Sequence, residues 1–132
     1  MPMVVRSGGC LCGAVRYAVS GEPLRAGLCH CADCRKESGS SFVTFGVWPS
    51  SAFTSSGEVR VFDGRGFCPV CGSRLFNPGA AETEIRLGSL DDAPVKLAPR
   101  YEIWIGRREP WLHAQPVPQY AGDRADGNGS GG

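Results

Sequence analysis

A tight turn that carries two cysteines is predicted at Phe67-Cys68-Pro69-Val70-Cys71-Gly72-Ser73-Arg74-Leu75. Pro69 fixes φ at the first position of the turn, and Gly72 can adopt a positive φ where the chain leaves it. Both thiolates then face one point, which needs a cation because two adjacent thiolates repel each other. Half of a tetrahedral zinc shell is therefore predicted here, and the rest of the chain must supply the other half.

Two other stretches of the chain contain cysteines that can complete the shell. They are Cys10-Leu11-Cys12 and Cys29-His30-Cys31-Ala32-Asp33-Cys34. The total of 7 cysteines is odd, so a disulfide framework leaves one over, and cysteines one residue apart are poorly placed to bond each other. The grouping favours metal ligation over disulfides, and also over buried cysteines that act only as small hydrophobic residues.

Composition and charge favour a compact, mainly β protein of 132 residues. The 19 glycines and 10 prolines are typical of short strands and many turns. The formal net charge is +1, and no basic run is longer than Arg107-Arg108, so we expect neither a nucleic acid nor a membrane partner. The apolar run at residues 1–6 is too short for a secretory signal, and we therefore expect the cytoplasm.

Alternating apolar and polar residues predict a series of short strands. The predicted strands cover residues 4–7, 14–19, 24–28, 42–48, 58–62, 74–77, 84–88 and 99–105. One short helical turn is predicted over residues 32–37, with Gly39 as its C-terminal stop, and a loop over residues 49–57. We expect a single zinc domain over residues 1–120 and a disordered tail over residues 121–132, since the tail lacks core residues.

The seven cysteines divide into a group of four and a group of three. The group from the two ends of the chain, which we call the quartet, is Cys10, Cys12, Cys68 and Cys71. A closed four-ligand zinc site of this kind can contribute about 10–16 kcal/mol to folding in small zinc peptides. The local group, which we call the trio, is Cys29, Cys31 and Cys34. Three ligands leave one coordination position open, which a thiol substrate can occupy as its thiolate.

The cysteine motifs resemble those of the glutathione-dependent formaldehyde-activating (GFA) family, also named for its centromere protein V member. The three motifs are Gly8-Gly9-Cys10-Leu11-Cys12-Gly13-Ala14-Val15-Arg16-Tyr17, Cys29-His30-Cys31-Ala32-Asp33-Cys34-Arg35-Lys36 and Gly64-Arg65-Gly66-Phe67-Cys68-Pro69-Val70-Cys71-Gly72-Ser73-Arg74-Leu75. The stretch Gly88-Ser89-Leu90-Asp91-Asp92, with Trp104 and Trp111, fits the C-terminal part of the family pattern. Glu102 differs from the pattern, because many relatives are expected to have a histidine there.

The resemblance implies a fold of antiparallel sheets around zinc, of the Mss4-like or β-tent type. It also implies that the quartet holds a structural zinc and that the trio forms a second, labile zinc site with a catalytic role. In the enzyme that names the family, this second site brings glutathione and formaldehyde together as S-hydroxymethylglutathione.

Two basic residues follow the trio, and each has two interpretations. Arg35 and Lys36 are predicted to bind the carboxylates of a glutathione-like substrate, or else they form the solvated face of a short helix. His30 lies between two cysteines whose side chains face inward, and its ring is therefore predicted to point away from the trio.

The leading hypothesis is a zinc-dependent carbon–sulfur lyase that acts on glutathione or a related small-thiol adduct. In this hypothesis the trio is the catalytic group. Two alternatives from other classes stay open: a non-catalytic binding or scaffold domain stapled by zinc, and a metal or redox sensor that uses the trio reversibly. The sequence does not determine the oligomeric state.

Overall fold

The computed structural model describes residues 3–124 and is mainly β over that range. In chain order the strands are β1 (Val5–Gly9), β2 (Arg16–Ser20), β3 (Arg25–Cys29), β4 (Val43–Pro49), β5 (Phe53–Ser56), β6 (Arg60–Phe62), β7 (Arg65–Phe67), β8 (Phe76–Asn77), β9 (Glu82–Arg86) and β10 (Glu102–Ile103). The α-helix α1 is Ala32–Ser38, and 3-10 turns lie at Ser50–Ala52, Leu87–Ser89 and Ile105–Arg107. None of the helices in this range has the length and apolar character needed to cross a membrane.

The chain divides into two compact units. The first unit consists of Met1–Leu24 and Gly46–Lys96, and the second consists of Arg25–Phe45 and Leu97–Gly132. The quartet lies within the first unit and the trio lies within the second. The single domain predicted over residues 1–120 stays a prediction.

The first unit contains a three-stranded antiparallel sheet with the order β1-β2-β5. In its register Gly8 pairs with Tyr17, and a Cβ at Gly8 would lie only 2.4 Å from the Tyr17 hydroxyl oxygen. Glycine is therefore required at this position. A hairpin of β6 and β7 is also antiparallel, and so is the pairing of β8 with β9.

The core of the first unit is built from the inward faces of these strands. Tyr17 and Val19 of β2 are buried, as the predicted alternation requires. Phe76 of β8 packs edge-on against Phe53, with ring centroids 4.7 Å apart, and it also contacts Tyr17. Trp48 at the end of β4 is fully buried. Tyr17, Phe53 and Phe76 thus form an aromatic cluster that joins β2, β5 and β8.

The second unit contains a parallel strand pair, whereas the pairs β1-β2, β2-β5, β6-β7 and β8-β9 are antiparallel. Glu102 of β10 pairs with Leu28 of β3, and Ile103 pairs with Cys29. The segment that follows later in the chain joins β10 on the other side, because the Glu102 amide donates to the Pro118 carbonyl at 3.0 Å. The Tyr120 amide donates back to the Glu102 carbonyl at 2.9 Å.

Helix α1 confirms the predicted helical turn and its stop. Cys31 is the N-cap, and its sulfur accepts a hydrogen bond from the Cys34 amide. Gly39 adopts φ 72° at the C-cap, and its amide donates to the Arg35 carbonyl at 2.8 Å. This left-handed cap is the conformation for which glycine is preferred.

Several predicted element boundaries differ from the structure: the strands predicted over residues 58–62 and 74–77 are shortened to β6 and β8, and β7 was not predicted. The predicted loop at residues 49–57 includes β5, whose polar residues pair with β2 without an alternating pattern. The strand predicted over residues 84–88 corresponds to β9, which begins and ends two residues earlier. A 3-10 turn begins at Leu87 instead. The strand predicted over residues 99–105 is reduced to β10, since Trp104 adopts φ 58° and ends it.

Residues 121–124 of the predicted tail are described and make contacts within the second unit. The Trp104 amide donates to the Gly122 carbonyl at 3.1 Å, and the Trp104 ring N–H donates to the Asp123 carboxylate at 3.0 Å. The Arg124 guanidinium lies 5.0 Å from the centre of the Tyr101 ring. The remainder of the predicted tail, residues 125–132, lies outside the described residues.

Candidate functional site

The four sulfurs of the quartet converge on one point. All four Sγ atoms lie within 4.8 Å of one another, and none of these cysteines forms a disulfide. The Sγ of Cys12 lies 3.6 Å from that of Cys10 and 3.8 Å from that of Cys68, which is 56 positions away in the sequence. The two chain segments that make up the first unit therefore meet at these sulfurs.

The backbone of each knuckle sets the direction of its thiols. In the second knuckle Gly72 adopts φ 79°, and its amide donates to the Cys68 carbonyl at 2.8 Å. In the first knuckle Gly13 adopts φ 83°, and its amide donates to the Cys10 carbonyl at 3.2 Å. Each turn closes with a left-handed glycine just beyond its cysteine pair, which is where the sequence places one.

Backbone amides point at the quartet sulfurs. The Val15 amide donates to Cys10 Sγ at 3.2 Å, and the amides of Val70 and Cys71 donate to Cys68 Sγ at 3.4 and 3.5 Å. Such donors stabilise the thiolate form, which is the form that binds a metal. The quartet therefore fits a tetrahedral thiolate site in both donor set and support.

Ser73 connects the two knuckles. Its hydroxyl oxygen accepts a hydrogen bond from the Leu11 amide at 3.0 Å and lies 3.2 Å from Cys71 Sγ. When Cys71 is a thiolate it can only accept, so the Ser73 hydroxyl then donates to the sulfur; this bond is the main reason that the pKa of Cys71 falls to about 5. At Cys12 the Ala14 amide lowers the pKa, but burial and the neighbouring sulfurs outweigh it and raise the pKa to about 11. The four thiols cannot all ionise without a cation between them.

The three sulfurs of the trio also converge, and all three side chains are buried. Cys29 is the last residue of β3, Cys31 caps α1, and Cys34 lies in the first turn of that helix. The Cys34 amide donates to Cys31 Sγ at 3.2 Å. Hydrogen bonds from the other two thiols lower the pKa of Cys31, and the same contact with Cys31 raises the pKa of Cys29. The three thiols of the trio therefore do not ionise independently of one another.

The ring of His30 lies outside the group of ligand atoms, as predicted. Its Nε2 lies 2.8 Å from Oε1 of Glu102, and both side chains are only 2% exposed. The other carboxylate oxygen accepts bonds from the Gln115 amide at 2.6 Å and the Gln119 side-chain amide at 3.0 Å. Burial raises the pKa of Glu102, but the bonds from Gln119, His30 and Gln115 outweigh it and leave the pKa below its ordinary value.

The chain matches one known protein family over more than half of its length. The profile of GFA, described as glutathione-dependent formaldehyde-activating enzyme, matches residues 5–107. The chain belongs to the GFA family. The matched residues include all members of the quartet and of the trio.

A solved structure supports the fold of this GFA protein. A crystal structure of a Rhodobacter sphaeroides protein, determined as a structural-genomics target, is 23% identical and superposes with a TM-score of 0.50. The alignment covers 68% of this chain and 92% of that chain. At this identity the likeness concerns the fold alone. Among functionally curated proteins, no relative matches the chain significantly.

The two basic residues predicted for substrate binding differ in their surroundings. Arg35 donates to the Arg107 carbonyl at 2.9 Å and to the Glu109 carboxylate at 2.6 Å. Lys36, on the same helix, is exposed and has no ion-pair partner within residues 3–124. The structure therefore holds Arg35 in an internal contact and leaves the Lys36 ammonium group accessible.

Sequence reasoning missed the supporting residues of both groups. Ser73 was one member of a turn, and nothing local indicated that it would contact Leu11 from the other knuckle. Glu102 gave a clearer signal, because an acidic residue stood among predicted core residues, and buried carboxylates need partners. The identity of its partner, His30, depends on the parallel pairing of β3 with β10.

Proposed function

We propose that this GFA-family protein is a zinc-dependent enzyme of the carbon–sulfur lyase type. Its proposed substrate is glutathione or a related small-thiol adduct, such as S-hydroxymethylglutathione. The observation that carries the proposal is the convergence of three buried sulfurs in the trio, within the residues that match the family. Family membership associates the chain with glutathione-related chemistry, and the trio is a group of residues suited to bind a thiol through a metal.

The quartet is the proposed site of a structural zinc. Its four sulfurs complete a tetrahedral donor set, and three backbone amides support the thiolate forms of Cys10 and Cys68. A site with four protein ligands has no position for substrate. We therefore assign the quartet to folding rather than to chemistry.

The trio is the proposed site of a second, labile zinc. Its group of candidate ligand atoms contains three sulfurs and, within residues 3–124, no fourth side chain. A zinc ion bound there would lower the pKa of a coordinating substrate thiol and hold it as the thiolate. The chain itself holds Cys29, Cys31 and Cys34 in buried positions, which shields their sulfurs from bulk water.

The proposed reaction is balanced without an oxidant or a reductant. In the cleavage direction the carbon–sulfur bond of the S-hydroxymethyl adduct breaks, its electron pair returns to sulfur, and the hydroxyl group loses its proton as formaldehyde forms. Glutathione regains a proton on release. The reverse direction forms the same bond from the thiolate and the carbonyl carbon.

Lys36 and Arg35 are the proposed contacts for the carboxylates of the substrate. Lys36 is exposed at the end of α1 and can bind a carboxylate without breaking another contact. Arg35 would have to exchange its bond to Glu109 for one to the substrate. The reduced, metal-suited cysteines also support a reducing compartment, and we propose the cytoplasm.

Carbon-13 exchange spectroscopy of formaldehyde with glutathione tests the proposal. The zinc-loaded protein should increase the rate of interconversion above the spontaneous rate measured without protein. The matched control is Cys31→Ser, which should retain the fold through the quartet and show only the spontaneous rate. If protein that contains two zinc ions per chain gave no acceleration, the enzyme hypothesis would be wrong. One tightly bound zinc and no catalysis would favour the scaffold alternative.

A redox sensor is the second candidate function. It is favoured by the convergence of three reduced sulfurs, because Cys31, whose pKa is lowered, lies beside two thiols with which it can form a disulfide under oxidation. Thiol counting after mild oxidation tests it. A sensor should lose two thiols reversibly from the trio while the quartet keeps its zinc.

A further inference from the structure

A buried acid–imidazole pair lies next to the trio and has no role in the reaction proposed above. His30 and Glu102 are 72 positions apart, and their side chains meet at 2.8 Å with 2% of each exposed. A carboxylate buried to this degree is strongly unfavourable unless hydrogen bonds compensate for lost water. Such a pair in a small protein therefore calls for a function that an apolar pair would not serve.

The hydrogen bonds of Glu102 are complete on both of its oxygens. Oε1 faces His30 Nε2, and Oε2 accepts from the Gln115 amide at 2.6 Å and from the Gln119 side chain at 3.0 Å. An ionised carboxylate only accepts hydrogen bonds, so Nε2 must carry the proton. The orientation of the imidazole ring is therefore fixed from a second segment of the chain.

Because His30 lies between Cys29 and Cys31, the orientation of its ring is coupled to the orientation of both cysteine side chains. Side chains alternate along an extended chain, so Cys29 and Cys31 face one side and His30 faces the other. The His30 amide also donates to the Ile103 carbonyl at 3.1 Å. A backbone rotation at residues 29–31 that turned the Cys29 and Cys31 side chains would therefore also displace the His30 ring from Glu102.

We propose that Glu102 is a positioning residue for the second metal site, and that it acts through His30 to hold Cys29 and Cys31 converged. Gln119 completes the support by orienting the carboxylate. The inference rests on the proposed function, because it requires that the trio binds a metal ion. It assigns to Glu102 a specific role in metal affinity at the trio.

Loss of this support should reduce metal affinity at the trio and leave the quartet unchanged. Residues that orient metal ligands from behind typically change affinity by about 10- to 100-fold when they are replaced. The quartet belongs to the first unit and has its own supporting residue, Ser73, so it serves as an internal reference in the same molecule.

Four variants of the full chain separate positioning from general stability. Glu102→Gln has nearly the same shape but presents an N–H donor on one side, which must face either His30 or the donors from Gln115 and Gln119. His30→Leu removes the bond, whereas His30→Gln retains a side-chain N–H that can reach the carboxylate. Glu109→Gln is the matched control, because it changes an acid of the same unit that binds Arg35 instead.

Cobalt titration provides the measurement, because thiolate–cobalt charge-transfer absorption reports each site without an activity assay. The wild-type protein should bind two Co²⁺ ions per chain. Glu102→Gln and His30→Leu should weaken the second ion by about 10- to 100-fold and leave the first unchanged. His30→Gln should recover most of the affinity, and Glu109→Gln should match the wild type. A melting curve of each variant is recorded alongside.

The outcomes distinguish the inference from the proposed function. If the wild type bound two ions and Glu102→Gln bound both as tightly, the inference would be overturned and the second metal site would stand. A parallel loss at both sites, in proportion to a lower melting temperature, would also overturn it by giving the pair a purely structural role. A wild-type protein that bound only one Co²⁺ ion would overturn both proposals together.

Discussion

The quartet and the trio use the same side chain in opposite settings. The quartet joins two knuckles that lie 56 positions apart between Cys12 and Cys68, and Cys12 is exposed. The trio comes from one continuous segment, residues 29–34, and all of its side chains are buried. The quartet thus closes a long loop and includes one exposed thiol, whereas the trio lies in a local turn and is buried throughout.

The difference in loop length indicates what each group contributes. Bringing the two knuckles together costs chain entropy that grows with the length of the closed loop, and a metal ion can offset that cost. The trio needs no such closure, because β3 and α1 already place its sulfurs together. We therefore expect loss of the quartet to unfold the protein and loss of the trio to leave it folded.

The largest expected effect tests this contrast directly. Cys68→Ser removes a buried quartet thiol, and Cys31→Ser removes a buried trio thiol by the same chemical change. Structural zinc can contribute about 10–16 kcal/mol in small peptides, which equals or exceeds the net stability of a typical domain. Cys68→Ser should therefore lose cooperative thermal unfolding, measured by circular dichroism, while Cys31→Ser should melt cooperatively. Equal melting curves for these two variants would contradict the division.

Alkaline pH tests the contribution of buried Tyr17 to the stability of the first unit, under conditions in which the quartet thiols are not protonated. Burial raises the pKa of Tyr17 to about 12, although its bond with Ser89 opposes the shift. Because the folded pKa exceeds the unfolded value of about 10, this stabilisation is complete below pH 10 and disappears as the pH rises towards 12. The free energy of unfolding should fall by about 2–3 kcal/mol across that window. In Tyr17→Phe the free energy of unfolding, measured by urea denaturation at each pH, should fall by that much less. If it fell as steeply with pH as in the wild type, ionisation of Tyr17 would not be the cause.

A smaller effect concerns the link between the two knuckles. Ser73→Ala removes the hydroxyl that accepts from the Leu11 amide and donates to Cys71. The pKa of Cys71 should rise, and zinc bound at the quartet should be lost to a chelator about 10-fold faster. Ser73→Thr retains the hydroxyl and is the matched control. If alanine and threonine variants lost zinc at the same rate as the wild type, the hydroxyl would have no part in metal retention.

The residues of the two cysteine groups could be predicted because their signals are local. Cysteine spacing and the glycine that closes each turn are read within a few positions, and Gly39 marked the end of α1 in the same way. The mainly β character followed from short alternating segments. Each of these features depends on contacts between neighbours in the sequence.

The missed features depend on contacts between distant segments. The partner of His30 is set by the parallel pairing of β3 with β10, which no local pattern encodes. β5 has polar residues on both faces after Phe53, and its pairing with β2 is not encoded by alternation. The early end of β10 follows from the left-handed conformation of Trp104, whose Nε1–H donates to Asp123. Sequence patterns therefore found the candidate metal ligands and not the residues that support them.

The smallest expected effect concerns how the trio would recognise a charged thiol. Lys36, two positions after Cys34 on α1, is exposed, whereas Arg35 is held by Glu109. An exposed ion pair contributes little, so Lys36→Gln should raise the KM for S-hydroxymethylglutathione by only about 2- to 5-fold and leave kcat unchanged. Lys36→Arg, which retains the charge, should restore the wild-type KM, and added salt should reduce the difference between the variants. A fall in kcat at unchanged KM would place Lys36 in the chemical step instead, and the quartet, which has no substrate position, should be unaffected in either case.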